Sequence, residues 1–136
     1  IRTLDVEQRK MVHERIKTIA TKIAESNDAE AEVLIENGYP VTANNTELTE
    51  MMLPSLIAAA GEENVKIRKP VMGAEDFSYY SREVPGLFFF LGAMDTDKNP
   101  MEVAAHHTPD FYLNESNFEV GIQAFVNLVM DYLKIH

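Results

Sequence analysis

Two adjacent histidines, His106 and His107, lie in residues 92–111, a stretch with no helical or strand periodicity. Irregular segments of that length are usually functional or disordered, and imidazole is a common ligand of zinc. Side chains of successive residues point apart in extended backbone, so one histidine could bind an ion while the other faces solvent or substrate. A solvated pair is the alternative, because no HExxH motif or other ligand cluster accompanies them.

The second candidate is an acidic pair, Glu75 and Asp76, which opens a short helix predicted over residues 75–82. Carboxylates at a helix N-terminus gain from the helix dipole and can cap free N–H groups, so a structural role is sufficient. The functional alternative is a cleft, because the preceding glycine lets a ligand approach the backbone closely. Asn44 has the same two interpretations, as a turn residue or as the border of a cleft.

Composition excludes several classes of protein. The chain has 136 residues, and its 12 Lys+Arg against 22 Asp+Glu give a formal net charge of −10. The electrostatic field of this net negative charge disfavours nucleic-acid and anionic-membrane partners. The sequence contains no run of eighteen apolar residues, so it does not predict a membrane span. The absence of cysteine fits a reducing compartment, so a cytoplasmic location is the expectation. The opening IRTLDVEQ, which has no initiator methionine, is expected to continue from a longer protein.

The first part of the chain is predicted to form a β-α-β unit over residues 1–39. Asp5 and Gln8 have the spacing of a capping box, and an apolar stripe follows until Ser26. Ala31, Val33 and Ile35 then alternate with Glu30, Glu32 and Glu36, a pattern typical of a half-buried strand.

The rest of the chain is predicted to alternate helices with buried strands, which gives an α/β fold class. A helix from Thr46 to Gly61 is expected to kink or restart near Leu53, because Pro54 lies inside it. Residues 65–67 and 87–91 are predicted strands, the second apolar throughout as in a parallel sheet. A capping box at Ser116 and Glu119 predicts the last helix, with an apolar stripe of Phe118, Ile122, Phe125, Val126, Val129, Tyr132 and Leu133.

Six short motifs follow one another along the chain. They are IRTLD at residues 1–5, GYPVTANN at 38–45, MLPSL at 52–56, GAEDF at 73–77, PGLFFFLG at 85–92 and HHTPDFYLNE at 106–115. Through them the chain resembles the C-terminal portion of the zinc-dependent aminoacylase/hippurate-hydrolase amidohydrolases, a co-catalytic metallopeptidase family. One such motif would be weak, but six in family order are strong.

The resemblance implies two domains and a set of site residues. Residues 1–42 would be the second half of a small lid or dimerisation domain, and residues 43–136 the C-terminal part of a catalytic α/β domain whose last helix covers the sheet. His107 would be a metal ligand, because Thr108-Pro109 follow it as in the family motif, and His106 remains the alternate ligand. Substrate-binding positions would be Asn44, Glu75, Asp76 and His106.

The implied activity is hydrolysis of N-acyl amino acids or related amides by a metal-activated water. The complete enzyme would hold two divalent metals, with zinc as the family default and manganese or cobalt as alternatives, and would form a homodimer through the lid. The family's other ligands and its general-base glutamate have no counterpart here, so the isolated chain is expected to be inactive. The alternative function is a non-enzymatic β-α-β ligand-binding or dimerisation module.

Overall fold

The computed structural model describes residues 1–135 and shows a chain whose regular secondary structure is helical. Two 3₁₀ turns, Glu62–Asn64 and Glu115–Asn117, accompany the α-helices. The four helices are α1 (Val6–Glu25), α2 (Thr46–Ala60), α3 (Phe77–Glu83) and α4 (Phe118–Ile135).

The predicted α/β fold class is wrong, because the described residues contain no β-strand. The segments predicted as strands, residues 31–35, 65–67 and 87–91, have no regular secondary structure. The β-α-β unit over residues 1–39 is therefore reduced to its helix. Alternation and apolar runs indicate which side chains avoid water, whereas a strand also needs hydrogen bonds to a neighbouring strand.

Helix α1 begins where the sequence predicts. The Asp5 side chain accepts a hydrogen bond from the backbone N–H of Gln8 at 2.7 Å, and the helix ends as Ser26 begins a turn. The apolar stripe is not buried, however. None of the twenty residues of α1 is buried, and Ile23 is 61% exposed.

Helix α2 also has the predicted ends. Asn45 caps it by accepting from the N–H of Leu48 at 2.8 Å, and Gly61 ends it with φ of +85°. That left-handed conformation is one that glycine adopts readily. The predicted restart near Leu53 does not occur, since the helix is continuous through Pro54, and the alternative of a kink stays a prediction. Proline removes a single N–H donor, and the flanking turns maintain the helix.

The start of α4 differs from the predicted capping box. Asn114, rather than Ser116, is the capping residue, because its Oδ1 accepts from the Ser116 N–H at 3.0 Å and from the Ser116 hydroxyl at 2.6 Å. These bonds stabilise the 3₁₀ turn that leads into α4.

The chain divides into two compact units. The first comprises Ile1–Asn44 and Lys69–Gly86, and the second comprises Asn45–Arg68 and Leu87–His136. The division into functional domains at residue 42 stays a prediction.

In the second unit α2 packs against α4. The buried residues are Met52 and Ser55 on α2, and Gly121 and Ala124 on α4. The apolar stripe of α4 lies elsewhere, since Phe125 and the other stripe residues are exposed. Small side chains make the packed face because they allow close approach. A Cβ at Gly121 would lie 2.8 Å from Leu91 Cδ2.

Candidate functional site

The loop that carries the two histidines is closed at its base by Asn114. The Asn114 N–H donates to the Ala93 carbonyl at 2.7 Å, and its side-chain amide donates to Asp95 Oδ1 at 2.6 Å. One residue therefore joins the two ends of the loop and also caps the turn before α4. This role of Asn114 was not predicted from the sequence, although asparagine before a helical segment is a known capping signal.

His106 and His107 have different surroundings within this loop. The His106 ring packs on the Phe111 ring, with 4.5 Å between centroids. The two imidazole centroids are 6.4 Å apart, and both residues are exposed. Their separation agrees with the expectation that adjacent histidines do not serve one ion together.

The backbone at His107 is in the left-handed region, with φ of +65°. For a residue other than glycine this conformation costs on the order of 1 kcal/mol and persists where neighbouring contacts impose it. Two hydrogen bonds flank it. The Thr108 hydroxyl donates to the Ala105 carbonyl at 2.7 Å, and the Phe111 N–H donates to the Thr108 carbonyl at 3.2 Å. The turn thus fixes the backbone from which the His107 imidazole projects.

The donor groups within the chain do not by themselves fit a catalytic metal. Among residues 1–135, no three histidine, aspartate or glutamate side chains lie close enough together to hold an ion. A catalytic zinc takes about three protein ligands. The assignment of His107 as a ligand therefore stays a prediction that requires donors from elsewhere in a larger protein.

The acidic pair lies immediately before α3, which starts two residues later than predicted. Asp76 occupies the N-cap position, but its carboxylate accepts no capping hydrogen bond and the residue is exposed. Glu75 is half-buried, and its Oε1 lies 3.5 Å from the Phe77 nitrogen, at the outer limit of a hydrogen bond. Capping therefore does not account for Asp76, and its carboxylate is accessible to a ligand.

Ser78 holds the backbone of Glu75 in place. Its hydroxyl donates to the Glu75 carbonyl at 2.6 Å and its N–H donates to the same oxygen at 3.2 Å. The side chain is fully buried. This role of Ser78 was not predicted from the sequence. The available signal was a serine three positions after Glu75, where its hydroxyl can bond back to the chain.

The first unit brings three of the family-like motifs together. Arg2 of IRTLD donates to the Met72 carbonyl, just before GAEDF, at 2.6 Å. The Tyr39 ring of GYPVTANN contacts the Tyr79 ring on α3 edge to face, with 5.8 Å between centroids. Asn44, at the end of the same motif, is exposed. Asn44 therefore belongs to the same unit as Glu75 and Asp76.

His106 and His107 belong to the second unit. The five predicted site residues are thus distributed as three in one unit and two in the other.

None of the helices in residues 1–135 is long and apolar enough to cross a membrane.

Comparison with known proteins identifies the family. The model of peptidase family M20/M25/M40 matches residues 4–131. The chain belongs to this family. The predicted relationship to amidohydrolases of this type is confirmed.

Three of the similar proteins have names that describe hydrolases. Thermostable carboxypeptidase 2 of Saccharolobus solfataricus is 31% identical over 133 residues, which cover 97% of this chain and 33% of that protein. IAA-amino acid hydrolase ILR1-like 2 of Arabidopsis thaliana is 32% identical over 127 residues, which cover 90% and 28% respectively. YhaA of Bacillus subtilis, which carries the provisional name of an amidohydrolase, is 30% identical over 131 residues, covering 96% and 33%.

The chain thus spans about a third of the length of these relatives. No solved structure matches it significantly.

Proposed function

We propose that this chain is part of a metal-dependent hydrolase that cleaves the amide bond of N-acyl amino acids or related amides. The observation that carries the proposal is the family match over residues 4–131. Two similar proteins are named as an IAA-amino acid hydrolase and a carboxypeptidase, and both names describe hydrolysis of a bond to an amino acid. The narrower substrate class, N-acyl amino acids or related amides, is inferred from the resemblance of the six sequence motifs to the aminoacylase/hippurate-hydrolase family.

The proposed roles divide between the two units. His107 supplies one metal ligand, and His106 lies beside it to contact substrate. Asn44, Glu75 and Asp76, in the first unit, are proposed as substrate-binding residues, and the uncapped carboxylate of Asp76 is available for a polar group. His107, together with donors from elsewhere in a larger protein, would hold a divalent ion, zinc by family default or else manganese or cobalt, which would supply Lewis-acid chemistry at the carbonyl.

The isolated chain is proposed to be inactive. Its described residues contain no cluster of three metal-binding side chains, and the general-base glutamate implied by the resemblance has no counterpart in the sequence. We further propose that the complete enzyme is a homodimer formed through the domain that contains residues 1–42.

The test is a comparison of the 136-residue chain with the protein encoded when the upstream reading frame is included. Each is assayed on a panel of N-acyl amino acids, and bound metal is measured by elemental analysis. The longer protein is expected to bind metal and turn over substrate, whereas the chain alone does neither.

In the longer protein, His107→Ala is expected to lower metal affinity by at least about a hundredfold, the upper end of what a supporting residue contributes. His13→Ala on α1 is the matched control and leaves affinity unchanged. Unaltered metal content after His107→Ala would disprove the ligand role. Turnover by the isolated chain would disprove its predicted inactivity.

The alternative of a non-enzymatic ligand-binding or dimerisation module is distinguished by the same proteins. It requires the longer protein to lack activity on the whole panel. Sedimentation of the longer protein tests the dimer separately, because a monomer at assay concentration would contradict the dimer proposal alone.

A further inference from the structure

Asn37 and Gly38 form the one asparagine–glycine pair in the sequence. They lie within residues 29–45, which have no regular secondary structure, and both are exposed. Glycine lacks a Cβ, so its backbone nitrogen is the least hindered one that an asparagine side chain can meet. A Cβ built at Gly38 would have no heavy atom within 4 Å other than those of its chain neighbours.

We propose that Asn37 is a site of spontaneous deamidation and isoaspartate formation. The Gly38 backbone nitrogen loses its proton and bonds to Asn37 Cγ. The Cγ–Nδ2 bond then breaks. The Nδ2 amino group takes up one proton and leaves as ammonia. The five-membered succinimide that results is opened by water at one of its two carbonyls, which gives aspartate or isoaspartate at position 37. No atom is oxidised or reduced.

The surrounding structure leaves this route open at Asn37. In the part of the chain that the structure describes, neither the Asn37 side chain nor the Gly38 N–H is in a hydrogen bond. Attack on Cγ therefore breaks no existing interaction.

Other asparagines are held by hydrogen bonds, and none is followed by glycine. The Asn27 amide donates to the Ile23 carbonyl at 2.8 Å. The Asn64 amide donates to the Ala60 carbonyl at 2.9 Å, and Asn45 Oδ1 caps α2. Each of these side chains must leave its partner before it can cyclise.

The product changes the segment that carries Asn44. The reaction adds a negative charge, and isoaspartate also adds a methylene to the backbone at position 37, two residues before Tyr39. The Tyr39 carbonyl accepts from Arg9 Nη1 at 3.4 Å, and its ring contacts Tyr79. Lengthening the backbone at position 37 is expected to displace both contacts. The chemistry itself does not depend on the proposed hydrolase function.

The test is incubation of the 136-residue chain at mildly alkaline pH, followed by peptide mapping with mass spectrometry and an enzymatic assay for isoaspartate. Position 37 is expected to lose ammonia at least about tenfold faster than any other asparagine, a difference of about 1.4 kcal/mol in activation free energy. Gly38→Ala is expected to slow the loss by about tenfold, and Asn37→Gln to remove it. Gly73→Ala is the matched control, because a Cβ there also meets open space.

Three outcomes would overturn the proposal. One is faster modification at another asparagine. Another is an unchanged rate in the Gly38→Ala chain. The third is a rate at position 37 that rises more than about a hundredfold in urea, since that would mean that the folded chain protects the site.

Discussion

Helix α1 and the α2–α4 pair are stabilised in different ways. None of the residues of α1 is buried, and its interactions include the Asp5 cap and exposed ion pairs such as Lys22–Glu25. Exposed pairs of this kind contribute about 0–1 kcal/mol each. In contrast, α2 and α4 bury residues against each other and share a side-chain hydrogen bond from Ser55 to Asp131 at 2.8 Å. Helix α1 therefore depends on local interactions, whereas α2 and α4 also depend on packing against each other.

The largest effect is expected from truncating a buried methionine. Met52 on α2 is 3% exposed, whereas Met11 on α1 is 55% exposed. Met52→Ala is expected to lower the free energy of unfolding of the second unit by about 2 kcal/mol, through lost transfer free energy and a residual cavity. Met11→Ala is the matched control and should change it by less than about 0.5 kcal/mol.

The measurement is urea unfolding followed by far-ultraviolet circular dichroism, with hydrogen exchange to separate the helices. Equal losses from the two substitutions would mean that α1 is packed as tightly as α2, and the contrast between the helices would fail.

Features set by neighbouring residues were predictable from the sequence. The Asp5–Gln8 cap, the start of α2 at Thr46 and its end at Gly61 all depend on side chains within a few positions of the helix end. The positions of the site residues in loops and at the start of α3 were predictable for the same reason.

Features that depend on distant partners were not predictable. The strand predictions failed because strand pairing is a tertiary property, and the described residues provide no paired partner. The packed face of α4 is made by Gly121 and Ala124 rather than by the large apolar stripe, because close approach to α2 and Leu91 decides the contact. The bonds from Asn114 to Ala93 and Asp95 were missed because they join residues that are distant in the sequence, whereas Ser78 has a local signal that was not used.

An intermediate effect is expected at the helix caps. Asp5→Ala removes the acceptor for the Gln8 N–H and is expected to destabilise the start of α1 by about 1 kcal/mol. Asn45→Ala removes the equivalent acceptor for the Leu48 N–H on α2. Because α1 has no buried residue, hydrogen exchange should accelerate more at Gln8 than at Leu48. Gln8→Ala keeps the backbone donor and is the control. Greater acceleration at Leu48 would contradict the contrast.

The smallest effect is expected at Asp131, which links α4 to α2. Its Oδ1 accepts from Lys134 and its Oδ2 from Ser55, both at 2.8 Å. Lys134 first, and Ser55 second, lower the pKa of the Asp131 carboxyl below its ordinary value, against a smaller opposing effect of burial. The ionised form thus favours the folded state. This contribution is present above the unfolded-state pKa, about 3.9, and is lost as the pH falls through the lower folded-state pKa.

Asp131→Asn should therefore reduce the acid-side loss of stability of the α2–α4 pair, measured by urea unfolding between neutral and acidic pH. The effect is small because the Asp131 side chain is 38% exposed, so solvent screens the interaction. Ser55→Ala removes one of the two donors and should change the pH dependence in the same direction. Ser26→Ala, at the end of α1, is the control, because its hydroxyl bonds only within its own helix end, to the Ile23 carbonyl, and to Asn27. An acid dependence that Asp131→Asn leaves intact would show that this hydrogen-bonded carboxylate does not distinguish the α2–α4 pair from α1.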